Sequence, residues 1–228
     1  MRFKCKSCGE CCRNFQEKGK CIPLFDFEVE ILKNISNEKN IKIEFKPIKY
    51  LLEENSQIVF VYLYGLNHDI CPLLKENKCS IYTKRPLICR QFPLLWTAQF
   101  HKGNDFGASC FSECKHFDSK KEFEKRFFER EQATDWEIDY YLKETYQDCF
   151  DWAIKGNSIG IKILEIIKKH DKSGNFKLKE ISETELNKYP ILSFSEFLKL
   201  KKLNQELNQI QDLFFLKTPN INFKKHSL

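Results

Sequence analysis

The sequence lacks the features that mark membrane-spanning and secreted proteins. It has no run of about 18 apolar residues, which is the length that a membrane-spanning helix requires. Its first residues, MRFKCKSC, do not form the apolar core of a secretory signal peptide. We therefore expect a cytoplasmic protein that makes no membrane contact.

Signatures of nucleotide and nucleic-acid binding are also missing. The glycine-rich motif G-x-G-x-x-G, which shapes a phosphate-binding turn, does not occur. The formal charge is +6, but basic residues are scattered and no recognition motif accompanies them. The densest groups, at Lys199–Lys202 and Lys224–Lys225, are typical of solvated faces. These absences disfavour a nucleic-acid partner.

What the sequence does contain is cysteine. There are eleven among 228 residues, ten of them before residue 115, and four lie in the string CKSCGECC at residues 5–12. In a reducing cytosol this density indicates metal binding, although intracellular proteins of hyperthermophiles can instead be rich in disulfides.

A hydrophobic content of 42% excludes disorder and suffices for a substantial core.

The cysteine distribution predicts an α+β fold in two parts. Residues 1–117 form a small cysteine-rich metal-binding domain with a few short strands and helices, and residues 118–228 form a mainly helical region that packs on it or extends from it. In the first part we predict a short helix from Asp26, strands at Ile41–Phe45 and Ile58–Tyr64, and a hairpin turning at Lys102–Asp105.

Capping boxes mark helix starts in the second part. They begin at Ser119, Thr134 and Ser193, each followed three residues later by Glu. We predict a helix at about Ser158–His170, stopped by the sequence DKSGN, and one long final helix that runs from Ser193 to about Phe214.

The spacing of the first cysteines indicates the kind of metal site. Cys5, Cys8 and Cys11 match the first three ligands of a ferredoxin-type cluster, whose usual fourth ligand is missing because Cys12 follows at once. Cys71, which precedes a proline, is a candidate replacement. Zinc remains open, since C-x2-C pairs also build tetrahedral zinc sites. Spacing favours an iron–sulfur cluster, of the four-iron type, by a small margin.

The adjacent cysteines suggest more than one site. Because neighbouring side chains diverge, we expect Cys11 and Cys12 not to share one zinc ion. The prediction is one site closed by Cys5, Cys8, Cys11 and Cys71, with a second in or around Cys12, Cys79, Cys89 and Cys110. Cys21 and Cys149 are interpreted as small buried hydrophobic residues.

Two arginines flank Cys89. Arg85 and Arg90 either stabilise an anionic cluster and tune its potential or pair with surface carboxylates, and the sequence leaves both readings open.

In their order along the chain, these motifs resemble a known family. CKSCGECC, then CPLL, KCSIYTKRPLICRQFP and a later cysteine are similar to the YkgJ-type cysteine-cluster family over about residues 3–112. That family is described as zinc- or iron-chelating and includes flagellin lysine N-methylases. The resemblance implies eight metal-binding cysteines: Cys5, Cys8, Cys11, Cys12, Cys71, Cys79, Cys89 and Cys110. Tyr82, Arg85 and Arg90 complete its motif and are the candidate cofactor-binding residues.

Three functions follow as hypotheses. The first is a metal-binding protein, with an iron–sulfur cluster favoured over zinc, that has a redox or cluster-dependent role. The second, implied by the resemblance, is an enzyme that transfers a methyl group from S-adenosylmethionine to a lysine of a protein substrate. The third is a structural zinc module whose helix Phe197–Phe214 binds a protein partner.

Overall fold

The computed structural model describes residues 5–6, 8–13, 21–94 and 135–215. Its elements confirm the predicted α+β class, with strands and short helices in the first part and mainly helices in the second. Three predicted features lie outside the described residues: the hairpin at Lys102–Asp105 and the capping boxes that begin at Ser119 and Thr134. In the described part of the chain, no helix has the length and apolar character that crossing a membrane requires.

A sheet of five strands forms the centre of the described structure. Strand β1 is Pro23–Leu24, β2 is Phe45–Glu53 and β3 is Ile58–Leu66, and both β1 and β2 pair antiparallel with β3. Strand β6, Leu178–Lys179, adds to β2, and β7, Ile191–Ser193, lies parallel to β3. The sheet therefore includes strands from before residue 117 and from after residue 118.

The first predicted strand is wrong, whereas the second is confirmed. Residues 41–44 are not in a strand, and β2 instead begins at Phe45 and continues through Pro47. Proline is tolerated there because β6 covers only Leu52 and Glu53 on the far side of β2. The pairing with β3 also shifts register on either side of Lys49, which marks an irregularity in the strand.

The helices differ from prediction mainly in their length. Helix α1, Asp26–Lys39, starts where predicted, and a short helix α2 spans Leu87–Gln91. Helix α3 runs from Asp135 to Lys172, far beyond the predicted Ser158–His170. Its only non-helical backbone angles are at Tyr146, where φ is −125° and ψ is 32°. It ends within the predicted stop, where Gly174 has a φ of 74°.

The predicted final helix is divided in two. The capping box of Ser193 and Glu196 opens α4, Phe194–Leu200, as predicted. The chain then breaks, and α5 covers Asn204–Phe215. Lys202 adopts a left-handed φ of 58°, and the Leu203 amide donates to the Leu198 carbonyl, which closes the end of α4. The apolar spacing continues across this break, so periodicity alone did not reveal it.

Two buried clusters hold these elements together. The larger packs Phe60 of the sheet against α3, α4 and α5, with the Phe60 and Phe197 rings stacked at 4.4 Å. The smaller lies between α1 and the cysteine loops and includes Leu24, Leu32 and the buried Cys71. Three further cysteines pack against it: Cys12, Cys79 and Cys89. The smaller cluster is thus the apolar support on which these thiols rest.

Candidate metal centre

The segment that carries Cys11 and Cys12 is a tight turn. Gly9 has a left-handed φ of 75°, and the Cys12 amide donates to its carbonyl at 3.0 Å, which starts a 3-10 helix at Glu10–Cys12. A Cβ on Gly9 would lie 3.1 Å from both the Asn77 carbonyl oxygen and Leu74 Cδ1. Glycine therefore provides both the backbone angle and the space that bring this turn onto the neighbouring loop.

That neighbouring loop is a small hairpin. Strands β4, Leu74–Lys75, and β5, Lys78–Cys79, are joined by Glu76 and Asn77, which both have positive φ, as a two-residue hairpin turn requires. Arg13 donates to the Asn77 side-chain oxygen at 2.6 Å. The Cys71 amide, just before the hairpin, donates to the Cys12 carbonyl at 2.9 Å. Main-chain and side-chain bonds thus join two segments that lie about sixty residues apart in sequence.

The thiols of Cys11, Cys12 and Cys71 come together at this junction. The Cys11 and Cys12 sulfur atoms are 3.9 Å apart, so the expected divergence of these neighbours is wrong. Both residues lie in the 3-10 turn Glu10–Cys12, which packs against the neighbouring loop. With metal–sulfur bonds of about 2.3 Å, two thiolates on one tetrahedral zinc lie about 3.8 Å apart. The observed separation matches that edge.

Mutual hydrogen bonding divides the protons among these three thiols. The hydrogen bond with Cys12 lowers the pKa of Cys11 to about 7. The pKa of Cys71 is also lowered, again chiefly by its hydrogen bond with Cys12. Cys12, the donor to both, has a raised pKa. A lowered pKa eases formation of the thiolate, which is the form in which cysteine binds a metal.

Cys79, in β5, and Cys89, in α2, lie near these three thiols and are partly exposed. Burial raises the pKa of both thiols, and the negative charges of Cys71 and Cys11 act on them in the same direction. The structure therefore gathers Cys11, Cys12, Cys71, Cys79 and Cys89 into one neighbourhood. The predicted division of the ligands between two sites stays a prediction.

The remaining candidate ligands are placed differently. Cys5 is exposed, Cys8 is partly exposed, and Cys110 lies outside the described residues. Within the described residues, no group of three or more cysteine, histidine or acidic side chains is arranged to hold a metal ion. The Cys11–Cys12 pair is thus one edge of a site rather than a complete ligand set. Cys149 donates to the Phe92 carbonyl at 3.2 Å.

The two arginines chiefly hold the loop between Tyr82 and Cys89. Arg85 stacks over the Tyr82 ring at 3.7 Å, and its charge contributes to the lowered pKa of Cys11. Arg90 donates to the carbonyls of Arg85 and Thr83 at 2.6 and 2.8 Å, and its guanidinium lies 4.3 Å from the centre of the Trp152 ring. Arg90 thus binds backbone oxygens, which is neither of the two roles that the sequence left open, stabilising a cluster or pairing with a surface carboxylate.

One buried polar atom, in the residue that follows Cys79, bears on whether a metal fits. The Ser80 hydroxyl, next to Cys79, is buried and has no hydrogen-bond partner among the described residues. Buried hydroxyls are rarely left unpaired, and metal-bound thiolates commonly accept hydrogen bonds from surrounding groups. In its chemistry the thiol donor set suits zinc or iron, although the described thiols do not form a complete ligand set. Sequence spacing gave no signal for Ser80, because its role depends on burial.

Comparisons with known proteins identify a family but no close relative. The model of the CxxCxxCC family, described as "Putative zinc- or iron-chelating domain", matches residues 4–136, which is more than half of the chain. The match includes all eight cysteines of the predicted set. Neither the curated proteins nor the solved structures contain a match.

Proposed function

Because the chain belongs to the CxxCxxCC family, we propose that it is a metal-binding protein that holds zinc or iron on clustered cysteine thiolates. The observation that carries this proposal is the meeting of Cys11, Cys12 and Cys71. The sulfur atoms of Cys11 and Cys12 are separated by the edge length of a tetrahedral thiolate site. The Cys71 amide donates a hydrogen bond to the Cys12 carbonyl, which connects Cys71 to the same turn.

The distance between the Cys11 and Cys12 sulfur atoms also bears on whether the centre is a single ion or a cluster. In a four-iron cluster each iron takes its own thiolate, so cysteine ligands are spread around the cluster rather than placed side by side. The close Cys11–Cys12 pair therefore favours a single ion bound by both residues. The iron–sulfur cluster stays a prediction from spacing, which a sulfide analysis tests directly.

Cys11, Cys12 and Cys71 are the residues that would hold this ion, with Cys79 and Cys89 nearest to complete the set. A bound zinc ion would supply structural cross-linking between the turn and the hairpin, and iron would add one-electron redox chemistry. The hydrogen bonds from Cys12 lower the pKa of Cys11 to about 7 and lower the pKa of Cys71 as well, which reduces the free-energy cost of losing protons when a metal binds.

The test is elemental analysis of the full chain purified without air, together with acid-labile sulfide and a visible spectrum. We expect zinc or iron in stoichiometric amount without sulfide. Iron with an equal amount of sulfide and a brown colour would replace the single ion by a cluster. Protein that contains neither metal and has no free thiols would overturn the proposal in favour of disulfides.

Substitution tests the named ligands. Cys12→Ser should lose most of the bound metal, because Cys12 contacts both of its partners. Cys21→Ser is the matched control, since Cys21 packs beside Gly65 of β3 and should leave metal content unchanged. Circular dichroism of both variants establishes that they fold. Full metal content in folded Cys12→Ser protein would contradict the assignment.

Methyl transfer to a protein lysine stays a prediction from the resemblance alone. Titration of the metal-loaded protein with S-adenosylmethionine by calorimetry tests it, and absence of binding at millimolar cofactor would count against the methylase.

A further inference from the structure

Two carboxylates in the first turn of α1 are buried. Asp26 and Glu28 are 6% and 4% exposed, although acidic side chains are seldom buried without partners. Each accepts one amide proton from its own helix start and one from a distant helix. They therefore connect α1 to other elements rather than to solvent.

Glu28 connects α1 to the helix that carries Cys89. One carboxylate oxygen accepts the Phe25 amide proton at 3.0 Å, and the other accepts the Leu87 amide proton at 2.6 Å. Leu87 is the first residue of α2, where the amide groups have no partner within the helix. Burial raises the pKa of the Glu28 carboxyl to about 7, and the hydrogen bonds from the Leu87 and Phe25 amides act in the opposite direction. Glu28 thus binds the first amide of α2, two residues before Cys89.

Helix α2 needs such support because it is short. A helix of five residues is not stable on its own, since nucleation costs more than a single turn returns. The amides of Cys89 and Arg90 both bond to the Pro86 carbonyl, so Pro86 and Leu87 define the position of the turn. With the Leu87 amide held by a buried carboxylate, the Cys89 thiol has a defined place against the smaller buried cluster.

Asp26 provides an internal comparison. One of its oxygens accepts the Phe27 amide proton at 2.8 Å, and the other accepts the Ser195 amide proton of α4 at 2.7 Å. It shares the turn, the burial and the bonding pattern of Glu28. It differs in its distant partner, which lies in α4 and not in a cysteine-bearing element.

We propose that Glu28 is a positioning residue for the thiolate centre, holding the Cys89-bearing helix α2 through the Leu87 amide. This inference rests on the proposed metal-binding function. It assigns to the metal centre a residue that lies 59 positions from its amide partner and outside every cysteine motif.

The experiment compares Glu28→Ala, Glu28→Gln, Asp26→Ala and wild type as full chains. Zinc affinity is measured by competition with a chromophoric chelator, and unfolding by urea is measured on the metal-free proteins. We expect Glu28→Ala to lower zinc affinity at least tenfold. Glu28→Gln should be intermediate, because its amide keeps one acceptor oxygen for two amide donors. Asp26→Ala should destabilise the metal-free protein comparably but change affinity less than threefold.

A second readout does not depend on metal. In metal-free protein, amide hydrogen exchange at residues 87–90 should accelerate in Glu28→Ala and stay as in wild type in Asp26→Ala. Equal losses of affinity in the two alanine variants, or unchanged exchange in α2, would overturn the inference. If wild type binds no metal, the proposed function fails, and the exchange measurement still decides whether Glu28 holds α2.

Discussion

Replacing Gly9 by alanine should weaken metal binding more than the same change at Gly174. Both glycines have a left-handed φ, 75° at Gly9 and 74° at Gly174, so alanine pays the same backbone strain at either position. The surroundings differ. A Cβ at Gly174 would meet no atom within 4 Å, whereas one at Gly9 would lie 3.1 Å from the Asn77 carbonyl oxygen and from Leu74 Cδ1.

These distances set the expected magnitudes. Left-handed backbone costs an L-residue roughly 1–2 kcal/mol, which is the whole effect expected at Gly174. At Gly9 the contact with Asn77 is to backbone, which cannot rotate away as a side-chain end can. Forcing an extra methyl group into such packing adds roughly 1–3 kcal/mol. If the added strain separates the Cys11–Cys12 turn from the hairpin, metal affinity falls by roughly fivefold to 150-fold, at about 1.4 kcal/mol per tenfold.

The assay is chelator competition for zinc, with urea unfolding of the metal-free variants alongside. We expect Gly174→Ala to lose stability and keep wild-type zinc affinity, and Gly9→Ala to lose affinity. The reasoning is refuted if the two variants bind zinc equally well, because close docking of the turn on the hairpin would then have no part in assembling the site.

Two further changes test parts of the fold away from the thiols. Although burial raises its pKa, hydrogen bonds from Lys201 and other donors lower the pKa of Glu53 to about 2, against an ordinary value of 4.5. The ionised Glu53 carboxylate therefore stabilises the folded state above about pH 4.5, and this stabilisation is lost as the pH falls towards 2. Urea unfolding between pH 6 and 2 should show the loss. Lys201→Met, which leaves the buried Glu53 carboxylate without its 2.6 Å ion pair, should cost about 3–5 kcal/mol at pH 7 and flatten that dependence. A wild-type acid dependence in this variant would contradict the pairing. Phe197→Ala should cost about 3–5 kcal/mol in the same assay, because Phe197 is fully buried and stacked on Phe60. A loss below 1 kcal/mol would mean that this core is not packed as described.

Local signals were enough to predict several elements. The acidic start at Asp26, the β-branched and aromatic run after Ile58 and the capping box at Ser193 all act within a few residues, and the elements begin where these signals stand. Strand β2 was missed because Pro47 normally argues against a strand. Pro47 is accommodated here because β6 is only two residues long and a register shift follows Pro47, and both are properties of the sheet and not of the segment.

For the candidate site too, the sequence predicted features that depend on neighbouring residues and missed those that depend on the tertiary fold. Cysteine spacing and the family resemblance predicted eight candidate ligands, and the structure brings five of them into one neighbourhood. The short distance between the Cys11 and Cys12 sulfur atoms was not predictable from adjacency, because it belongs to a turn that packs against Asn77, about sixty residues away in the sequence. The position of Glu28 beside α2 could not be predicted from the sequence for a similar reason, since its hydrogen bond with the Leu87 amide exists only in the folded chain.

The first turn of α1 links the thiol loops to the helical part of the chain. Glu28 holds the start of α2 and Asp26 holds the start of α4, so both helices take their position from the same buried turn. Strand β7 immediately precedes α4 and pairs with β3, which also pairs with β1 just ahead of α1. A ligand that binds only the folded state stabilises everything that unfolds with its site. Because the two parts share this turn and this sheet, metal bound at the thiols should also stabilise α4 and the core around Phe60.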